Sequence, residues 1–375
     1  MNLDEKLLNA ILQLKNNGMF REIPQINGYN KTINGMLNLS SNDYLGLLNN
    51  HELVLEFFNQ NKNLKMSSAS SRLLTGNCNS YNKLEDLLTT LFNKEAALVF
   101  NSGYHANIGI LPALADKDSL IIADKLVHAS IIDGIKLSGC KFERYKHNDY
   151  EHLNKIICRE KGNFKYFFVV TESVFSMDGD IADLKELVKV KKLHKNIILY
   201  LDEAHAFGVI GEKGLGVAER ENLIKEIDLI VGTFGKAISS VGSFLVCSRI
   251  IKEYLINKMR PLIFSTTLPQ INIEWSYFII KQLNRFNKER EHLSKISLIL
   301  RDALNVNNVS QSHIIPYIVE DAKVAVELSE RLKKEGFYAL PIRPPTVPPN
   351  SSRVRFSLTA NILEQDIYKL VNIIK

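Results

Sequence analysis

Short apolar runs alternate with helical segments through the central part of the chain, from about residue 95 to residue 250. Several of these runs are apolar at every position, as strands are when helices cover both faces of their sheet. The alternation predicts an α/β fold with a mostly parallel sheet flanked by helices. The predicted strands are Ala96–Phe100, Ser119–Ala123, Tyr166–Thr171, Asn196–Leu201, Asp228–Gly232 and Ser243–Cys247.

The two ends of the chain follow other patterns. Near the start, Leu3, Leu7, Ala10, Ile11 and Leu14 recur at the period of an amphipathic helix. Beyond residue 250 the predicted elements are one or two long helices from Gln270 to about Val306, strand His313–Val319, helix Ala322–Lys334, strands Tyr338–Ile342 and Val354–Leu358, and a final helix from about Glu364. We therefore predict an N-terminal arm (1–45), a large α/β domain (46–275) and a smaller α+β C-terminal domain (276–375).

The composition excludes several classes of protein. Of 375 residues, 45% are hydrophobic and 23% are charged, which is typical of globular proteins and not of disordered ones. The net charge is only +6, without long runs of like charge, so we expect no nucleic-acid partner. No apolar stretch approaches the roughly 20 residues that span a bilayer, and no secretory signal is evident, so we expect no membrane partner and a cytoplasmic location. Four scattered cysteines predict neither disulfides nor a metal site.

Polar side chains follow two neighbouring predicted strands directly. Asp202 and His205 come after the strand that ends at Leu201, and Lys236 comes after the strand that ends at Gly232. Open α/β sheets bind their ligands at the carboxyl ends of the strands. These three side chains are therefore expected to converge at one edge of the sheet.

Each of these residues has an ordinary structural interpretation beside a chemical one. Lys236 could be an exposed lysine at a strand end, or a desolvated amine that forms a Schiff base with a carbonyl. Gly232, Gly235 and Gly242 leave room near it for a closely packed ligand. Asp202 could cap a helix or form a structural ion pair, or it could pair with the protonated ring nitrogen of pyridoxal phosphate.

Two nucleotide-binding interpretations are excluded by what the sequence lacks. Asp202–His205 spells the DEAH box of nucleic-acid helicases, but the chain has no phosphate-binding loop of the form G-x-x-x-x-G-K-[ST]. The only Gly-Lys pair, Gly235-Lys236, is followed by alanine. A dinucleotide site is also not indicated, because the glycine-rich stretch Gly211–Gly216 is not G-x-G-x-x-G.

Two further turns could contribute to the same site. Asn101–Asn107 follows a strand and opens a helix, and a turn of small residues at a helix N-terminus is suited to phosphate, although ordinary helix caps look similar. His128 follows the next strand. It could be an ordinary histidine at a helix start, or it could lie flat on an aromatic cofactor ring.

Taken together and in order, these motifs resemble those of the α-oxoamine synthases, a family of pyridoxal phosphate enzymes with the type I fold. The resemblance covers nearly the whole chain. The matching segments are Ser40–Leu47, Ser102–Tyr104, Ala123–Ser130, Thr171–Asp180, Asp202–His205 and Thr233–Lys236. The resemblance implies a fold-type I transferase with pyridoxal 5'-phosphate as its cofactor, acting as a decarboxylating C-acyltransferase.

The resemblance also implies catalytic residues. Lys236 would bind the cofactor covalently, and Asp202 would pair with the pyridine nitrogen. His205 would bond the phenolic oxygen, and His128 would stack on the ring.

Further cofactor contacts follow from the same resemblance. Gly103, Tyr104 and Thr233 would hold the phosphate group, and Ser176 would lie near the cofactor. Ser265 and Thr266 would reach the phosphate in the neighbouring subunit, which implies a homodimer.

Substrate residues are implied as well. Arg343 would bind the carboxylate of the amino acid, a bidentate task suited to arginine. Asn42, Glu172 and His128 would lie close to the reacting groups. Arg21 and Thr346 would line the channel for the acyl substrate.

Within the family, the segment Arg343–Arg355 is most similar to members that condense L-alanine with a pimeloyl thioester in biotin synthesis. Members that transfer acetyl groups to glycine, or that use another amino acid and acyl donor, remain an alternative. Two segments depart from the family pattern: Ser67–Leu73 lacks the usual glycines, and the segment after the lysine, Ala237–Gly242, differs from relatives that often carry a glycine there. The carrier of the acyl group, coenzyme A or acyl carrier protein, is left open.

Overall fold

The computed structural model describes residues 2–28, 31–48 and 50–375. The chain forms two compact units. The larger consists of Asn50–Ser176 and Ile181–Arg290, and the smaller consists of Met1–Asn49, Met177–Asp180 and Glu291–Lys375. The predicted domain boundaries near residues 45 and 275 remain predictions. The two compact units meet along the chain near residues 49 and 290.

A seven-stranded sheet is the centre of the larger unit. Across the sheet, the strands are Ala96–Phe100, Ser243–Cys247, Leu229–Thr233, Ile197–Asp202, Tyr166–Glu172, Ser119–Asp124 and Lys141–Tyr145. Ser243–Cys247 runs opposite to the other six strands, which are parallel to one another. The strands between the two edges are almost entirely buried, as their continuous apolar runs predict. The predicted α/β fold is confirmed.

Helices surround this sheet and complete the larger unit. They are His51–Gln60, Asn79–Phe92, Gly103–Leu114, Ala129–Ser138, Tyr150–Glu160, Leu184–Leu193, Val217–Arg220, Arg249–Lys258, Arg260–Phe264 and Gln270–Lys281, with a π-helix at Arg72–Gly76 and 3-10 turns at Ile224–Glu226 and Leu283–Phe286. Two of these helices touch through glycine. A methyl group at Gly134 would lie 2.2 Å from the carbonyl oxygen of Asn107, so only glycine permits this approach.

The smaller unit contains two three-stranded sheets. One consists of Thr32–Ile33, Met36–Asn38 and Phe337–Tyr338, and the other of Ile314–Glu320, Ser352–Ser357 and Pro341–Ile342. Its helices are Leu3–Asn16, Ala322–Lys334 and Glu364–Ile374, while helix Asn287–Leu304 begins in the larger unit and ends in this one. Arg353, which is buried, forms an ion pair with Asp178 in this unit.

One strand was missed, one local prediction needs correction, and one is made more specific. Strand Lys141–Tyr145 was not predicted, because it lies at an exposed edge of the sheet and carries charged side chains. The predicted strand Tyr338–Ile342 is two short strands that belong to different sheets. The segment predicted as one or two long helices after Gln270 consists of two, Gln270–Lys281 and Asn287–Leu304, separated by the 3-10 turn at Leu283–Phe286. In the described ranges, no helix is both long and apolar enough to cross a membrane.

Candidate active site

A cavity of about 190 Å³ lies at the carboxyl ends of the parallel strands of the larger unit. Glu172, Asp202 and Thr233 are the last residues of three of these strands, and the parallel arrangement brings their side chains to one edge. The residues that line the cavity are Gly103, Tyr104, Asn107, His128, Ser130, Glu172, Asp202, Ala204, His205, Thr233 and Lys236. Eight of the predicted site residues therefore surround one space.

Lys236 contributes an amine to this cavity. Its Nζ lies 2.7 Å from Nε2 of His205, and the lysine itself is half-buried. The two nitrogens share one hydrogen bond, so they cannot both direct a proton at each other. This contact brings a primary amine and an imidazole together on a wall of the cavity, which is an arrangement suited to proton transfer.

Asp202 is a buried carboxylate held by neutral donors. Its Oδ1 accepts a hydrogen bond from the backbone N–H of Ala204 over 2.9 Å, and its Oδ2 accepts one from Nδ2 of Asn107 over 3.0 Å. None of the described side chains forms a salt bridge with it at less than 4 Å. A buried carboxylate without a cationic partner is costly, so this site suits a ligand that brings a positive charge.

His128 caps the helix Ala129–Ser138 and faces the cavity. Its Nδ1 accepts the backbone N–H of Ser130 over 3.2 Å and lies 2.7 Å from the Ser130 hydroxyl oxygen. Burial lowers the pKa of His128, and the charge of Lys236 lowers it further, whereas Asp202 and Asp133 act in the opposite direction. Together these effects favour the neutral imidazole over the imidazolium.

Glu172 is a second buried acid on the same wall. Its Oε1 has no hydrogen-bond partner within the part of the chain that the structure describes. Burial raises the pKa of Glu172 well above its usual range, and the nearby Asp202 carboxylate raises it further. A buried polar atom without a partner is a place where a bound group can bond.

The opposite wall is built from small residues. Gly103 is the first residue of helix Gly103–Leu114, whose N-cap is Ser102, and a methyl group at Gly103 would lie 4.0 Å from the Thr233 side chain. Thr233 Oγ1 accepts the backbone N–H of Gly235 over 3.2 Å and donates to the carbonyl of Gly242 over 3.0 Å. The amide groups of this helix start form a position suited to an anion such as phosphate.

The donor set fits pyridoxal phosphate. The amine of Lys236 could react with the aldehyde of this cofactor, and the carboxylate of Asp202 could pair with its ring nitrogen. The N-terminus of the helix that begins at Gly103 could bind its phosphate. The unpartnered oxygen of Glu172 adds a further position for a bound group.

The roles of four other predicted cofactor residues remain predictions, and the structure describes their surroundings. Tyr104 lines the cavity, but its hydroxyl group donates to Asp133 over 2.5 Å and nearly half of its side chain is exposed. Ser176, Ser265 and Thr266 are not among the cavity-lining residues described above. The carbonyl of Thr266 accepts the side-chain amide of Asn101 over 2.6 Å, while the Thr266 side chain is exposed.

The remaining predicted substrate residues belong to the smaller unit. Arg21 Nη2 donates to Thr346 Oγ1 over 2.8 Å, and Arg343 donates to the carbonyl of Gly18. Burial and the charge of Arg21 lower the pKa of Arg343. Asn42 Oδ1 accepts the hydroxyl of Tyr44 over 3.2 Å. Three of the four residues thus gather in one part of this unit, and their roles remain predictions.

Glu203, the second residue of the DEAH string, serves the fold. It is fully buried, and its carboxyl group accepts the Ser173 hydroxyl and the backbone N–H groups of Val217 and Ala218. Burial raises its pKa to about 7. The acid beside Asp202 therefore anchors the short helix Val217–Arg220 and does not line the cavity.

Sequence reasoning did not assign roles to Asn107 and Ser130. Both lie within segments that the motifs include, but their importance comes from side-chain contacts across two helices. Tyr200, buried in the sheet, also contacts Asn107.

Comparison with known proteins agrees with this geometry. Residues 34–374 match the model of the aminotransferase class I and II family. A protein of Glaesserella parasuis, provisionally named 8-amino-7-oxononanoate synthase, is 54% identical over 98% of this chain and 99% of its own length. A protein of Neisseria meningitidis with the same provisional name is 53% identical over 95% of this chain and 96% of its own.

Solved structures of related enzymes have the same fold. Serine palmitoyltransferase from S. paucimobilis, with bound pyridoxal phosphate and myriocin, superimposes with a TM-score of 0.91 at 29% identity, covering 100% of this chain and 97% of that one. An 8-amino-7-oxononanoate synthase from Francisella tularensis gives a TM-score of 0.76 at 28% identity, covering 90% and 96%. This chain therefore belongs to the aminotransferase class I and II family and, within it, to the α-oxoamine synthases, which are pyridoxal phosphate-dependent C-acyltransferases.

Proposed function

We propose that this chain is an 8-amino-7-oxononanoate synthase, which condenses L-alanine with a pimeloyl thioester and releases carbon dioxide and the carrier thiol. The observation that carries the proposal is the 54% identity, over nearly both full lengths, to a protein provisionally named for this activity. Other relatives with the same provisional name are 51–53% identical over most of their length. The proposed activity is a step of biotin biosynthesis.

We assign the cofactor to the cavity of the larger unit. Lys236 would hold pyridoxal phosphate through its amine, Asp202 would bond the ring nitrogen, and His205 would bond the phenolic oxygen. His128 would pack on the ring. The phosphate would be held by the backbone at Gly103 and Tyr104 and by Thr233, with Ser176 nearby, and by Ser265 and Thr266 of a second subunit in a homodimer.

Bound pyridoxal phosphate supplies a carbonyl that condenses with the amino group of alanine, and a conjugated ring that takes up the electron pair of the broken Cα–H bond. Lys236 Nζ is the base that we propose for the α-proton. The amine must be unprotonated to act, and the neighbouring His205, with Nε2 at 2.7 Å, can share the proton that Nζ takes up.

The substrates require further groups, which we assign from the family resemblance. Arg343 would bind the alanine carboxylate, and Asn42, Glu172 and His128 would lie near the reacting carbons. Arg21 and Thr346 would line the acyl channel. The 2.8 Å bond between Arg21 and Thr346, and the closeness of Arg21 to Arg343, support a shared role for these three residues.

A matrix assay with mass detection of the products tests the proposal. Purified holoenzyme is mixed with L-alanine, glycine or L-serine, and each is combined with pimeloyl-coenzyme A, pimeloyl-acyl carrier protein, acetyl-coenzyme A or palmitoyl-coenzyme A. We expect product from L-alanine with a pimeloyl donor to form at least tenfold faster than any other. Preference between the two pimeloyl donors identifies the carrier.

A second candidate follows from the structural neighbours. Two serine palmitoyltransferase structures superimpose with TM-scores of 0.91 and 0.90, which are higher than the 0.76 of the Francisella synthase. Product from L-serine and palmitoyl-coenzyme A as the major outcome would replace the proposed activity with this one. Product from glycine and acetyl-coenzyme A would instead identify a glycine C-acetyltransferase.

A further inference from the structure

Four buried side chains form a continuous series of hydrogen bonds at the wall of the cavity, and the series ends at His128. The Tyr200 hydroxyl donates to Asn107 Oδ1 over 2.5 Å, and Asn107 Nδ2 donates to Asp202 Oδ2 over 3.0 Å and to Ser130 Oγ over 2.9 Å. Ser130 Oγ in turn lies 2.7 Å from His128 Nδ1. The series therefore joins Asp202 to His128, two side chains that line the cavity.

One backbone donor fixes the direction of every bond in this series. The N–H of Ser130 can only donate, and it points to His128 Nδ1 over 3.2 Å, so Nδ1 is an acceptor and carries no proton. With no proton on Nδ1, the 2.7 Å contact is a hydrogen bond only if the Ser130 hydroxyl donates, so the hydroxyl and the backbone N–H share the Nδ1 lone pair. The hydroxyl oxygen must accept, and the group of Asn107 that faces it must be the amide nitrogen.

The remaining hydrogen bonds of Asn107 lead to Asp202 and Tyr200. The second hydrogen of Asn107 Nδ2 goes to Asp202 Oδ2, while Asp202 Oδ1 accepts the backbone N–H of Ala204. Both oxygens of Asp202 accept, as in an ionised carboxylate. Asn107 Oδ1 is left to accept from Tyr200, whose pKa is raised well above its usual range by burial and by Asp202, so its hydroxyl keeps the proton that it donates.

We propose that Asn107 and Ser130, oriented by Tyr200, form a positioning relay that holds His128 in its neutral Nε2–H tautomer and Asp202 as an acceptor at both oxygens. The relay has little freedom, because Asn107, Ser130 and Tyr200 are at most 2% exposed and water cannot replace their bonds. The close contact at Gly134 also fixes the helix of Asn107 against the helix of Ser130.

The relay deepens the proposed function. The roles of His128 and Asp202 toward the cofactor rest on that function, but the hydrogen bonds of the relay do not. A neutral His128 does not repel a positively charged ring beside it, and its Nε2–H remains a donor. The charged and titratable groups that act on His128 are Asp202, Lys236 and Asp133, and none of them bonds Nδ1. The relay bonds themselves do not depend on which amino acid or thioester is the substrate.

Nitrogen-15 NMR of histidine-labelled holoenzyme tests the relay directly. His128 is identified by the signals that disappear in His128→Gln, and each ring nitrogen is classed as protonated or unprotonated between pH 7 and 9. We expect an unprotonated Nδ1 and a protonated Nε2 throughout this range. An imidazolium, or a proton on Nδ1, in the unmodified holoenzyme would overturn the proposal.

Two matched variants distinguish positioning from general structural support. Ser130→Ala keeps the backbone donor but removes the hydroxyl, and Ser130→Thr restores a hydroxyl. We expect Ser130→Ala to give a mixture of tautomers or an upward shift of about one pH unit in the protonation of His128, and Ser130→Thr to match the original enzyme. Unchanged signals in Ser130→Ala would contradict the relay.

Asn107→Asp tests the other end of the series. It replaces the donor with an acceptor of the same shape, facing the Asp202 carboxylate. We expect the dissociation constant for pyridoxal phosphate to rise at least about tenfold, and an unchanged constant would contradict the relay. If this variant does not fold, the Ser130 pair decides the question. The tautomer and the cofactor dissociation constant are both measured without substrate. These results would therefore still test the relay if the enzyme did not condense alanine with a pimeloyl thioester.

Discussion

Glu172 and Asp202 occupy paired positions at the ends of two neighbouring parallel strands. Both side chains line the same cavity, and both are buried. Two adjacent buried carboxyl groups cannot both ionise at low cost, because each charge disfavours the other. Asp202 receives two hydrogen-bond donors, whereas one oxygen of Glu172 has none among the described residues. Glu172 is therefore the acid that keeps its proton.

This division predicts the effect of Glu172→Gln on stability. The folded pKa of Glu172 is raised, so its contribution to the free energy of unfolding is complete below the unfolded pKa and decreases as pH rises toward the folded one. Relative to Glu172→Gln, the original protein should lose stability steadily from about pH 4.5 upward. Urea unfolding of both proteins from pH 4 to 9 measures this difference. A constant difference across that range would mean that Glu172 is ionised in the fold.

Replacement of Lys236 should abolish turnover. Lys236→Ala removes the amine beside His205, and we expect the rate to fall by at least about a thousandfold, with no lysine adduct trapped by borohydride. Lys236→Arg is the matched control, since it keeps a positive charge that does not dissociate near neutral pH. An equal loss of turnover in both variants would show that the reaction requires an amine that can lose its proton. Substantial turnover in either variant would contradict the role assigned to Lys236.

Asp202→Asn should weaken cofactor binding while preserving the fold. The amide has almost the same shape but no charge, so we expect the dissociation constant for pyridoxal phosphate to rise about tenfold or more. Equilibrium titration of the apoprotein by absorbance measures the change. Thermal unfolding of the apoprotein is the control, and an unaltered dissociation constant would show that the charge of Asp202 does not act on the cofactor.

Gly216→Ala should destabilise the larger unit. Gly216 has φ +118°, and a methyl group there would lie 2.5 Å from Cδ of the buried Glu203. We expect a loss of at least about 2 kcal/mol in the free energy of unfolding. Gly162→Ala is the matched control, because Gly162 also has positive φ (+92°) but no atom within 4 Å of the added methyl group. Equal losses in the two variants would mean that backbone strain alone decides the cost.

Most strands of the large sheet could be predicted from the sequence, because the buried strands are continuous apolar runs. Ala96–Phe100 and Ser243–Cys247 have the predicted bounds. The other four predicted strands differ from the observed ones by one residue at one or both ends. The exposed strand Lys141–Tyr145 lacks that pattern, and the pairing with Ser119–Asp124 defines it instead.

For the candidate site, the positions of Asp202, His205 and Lys236 at strand ends could be inferred from the sequence. The bonds of Asn107 could not, because they join residues 23, 93 and 95 positions away, and only helix packing brings them together.

The exposed strand Lys141–Tyr145 has a consequence for how the protein behaves in a concentrated solution. An open sheet edge can pair with an edge of another molecule and begin aggregation. Here the edge carries charge, and its side chains are already engaged: Glu143 pairs with Arg159, and Arg144 bonds the carbonyl of Lys125. A second molecule would have to bury these charges in order to extend the sheet, so this edge resists strand addition between copies.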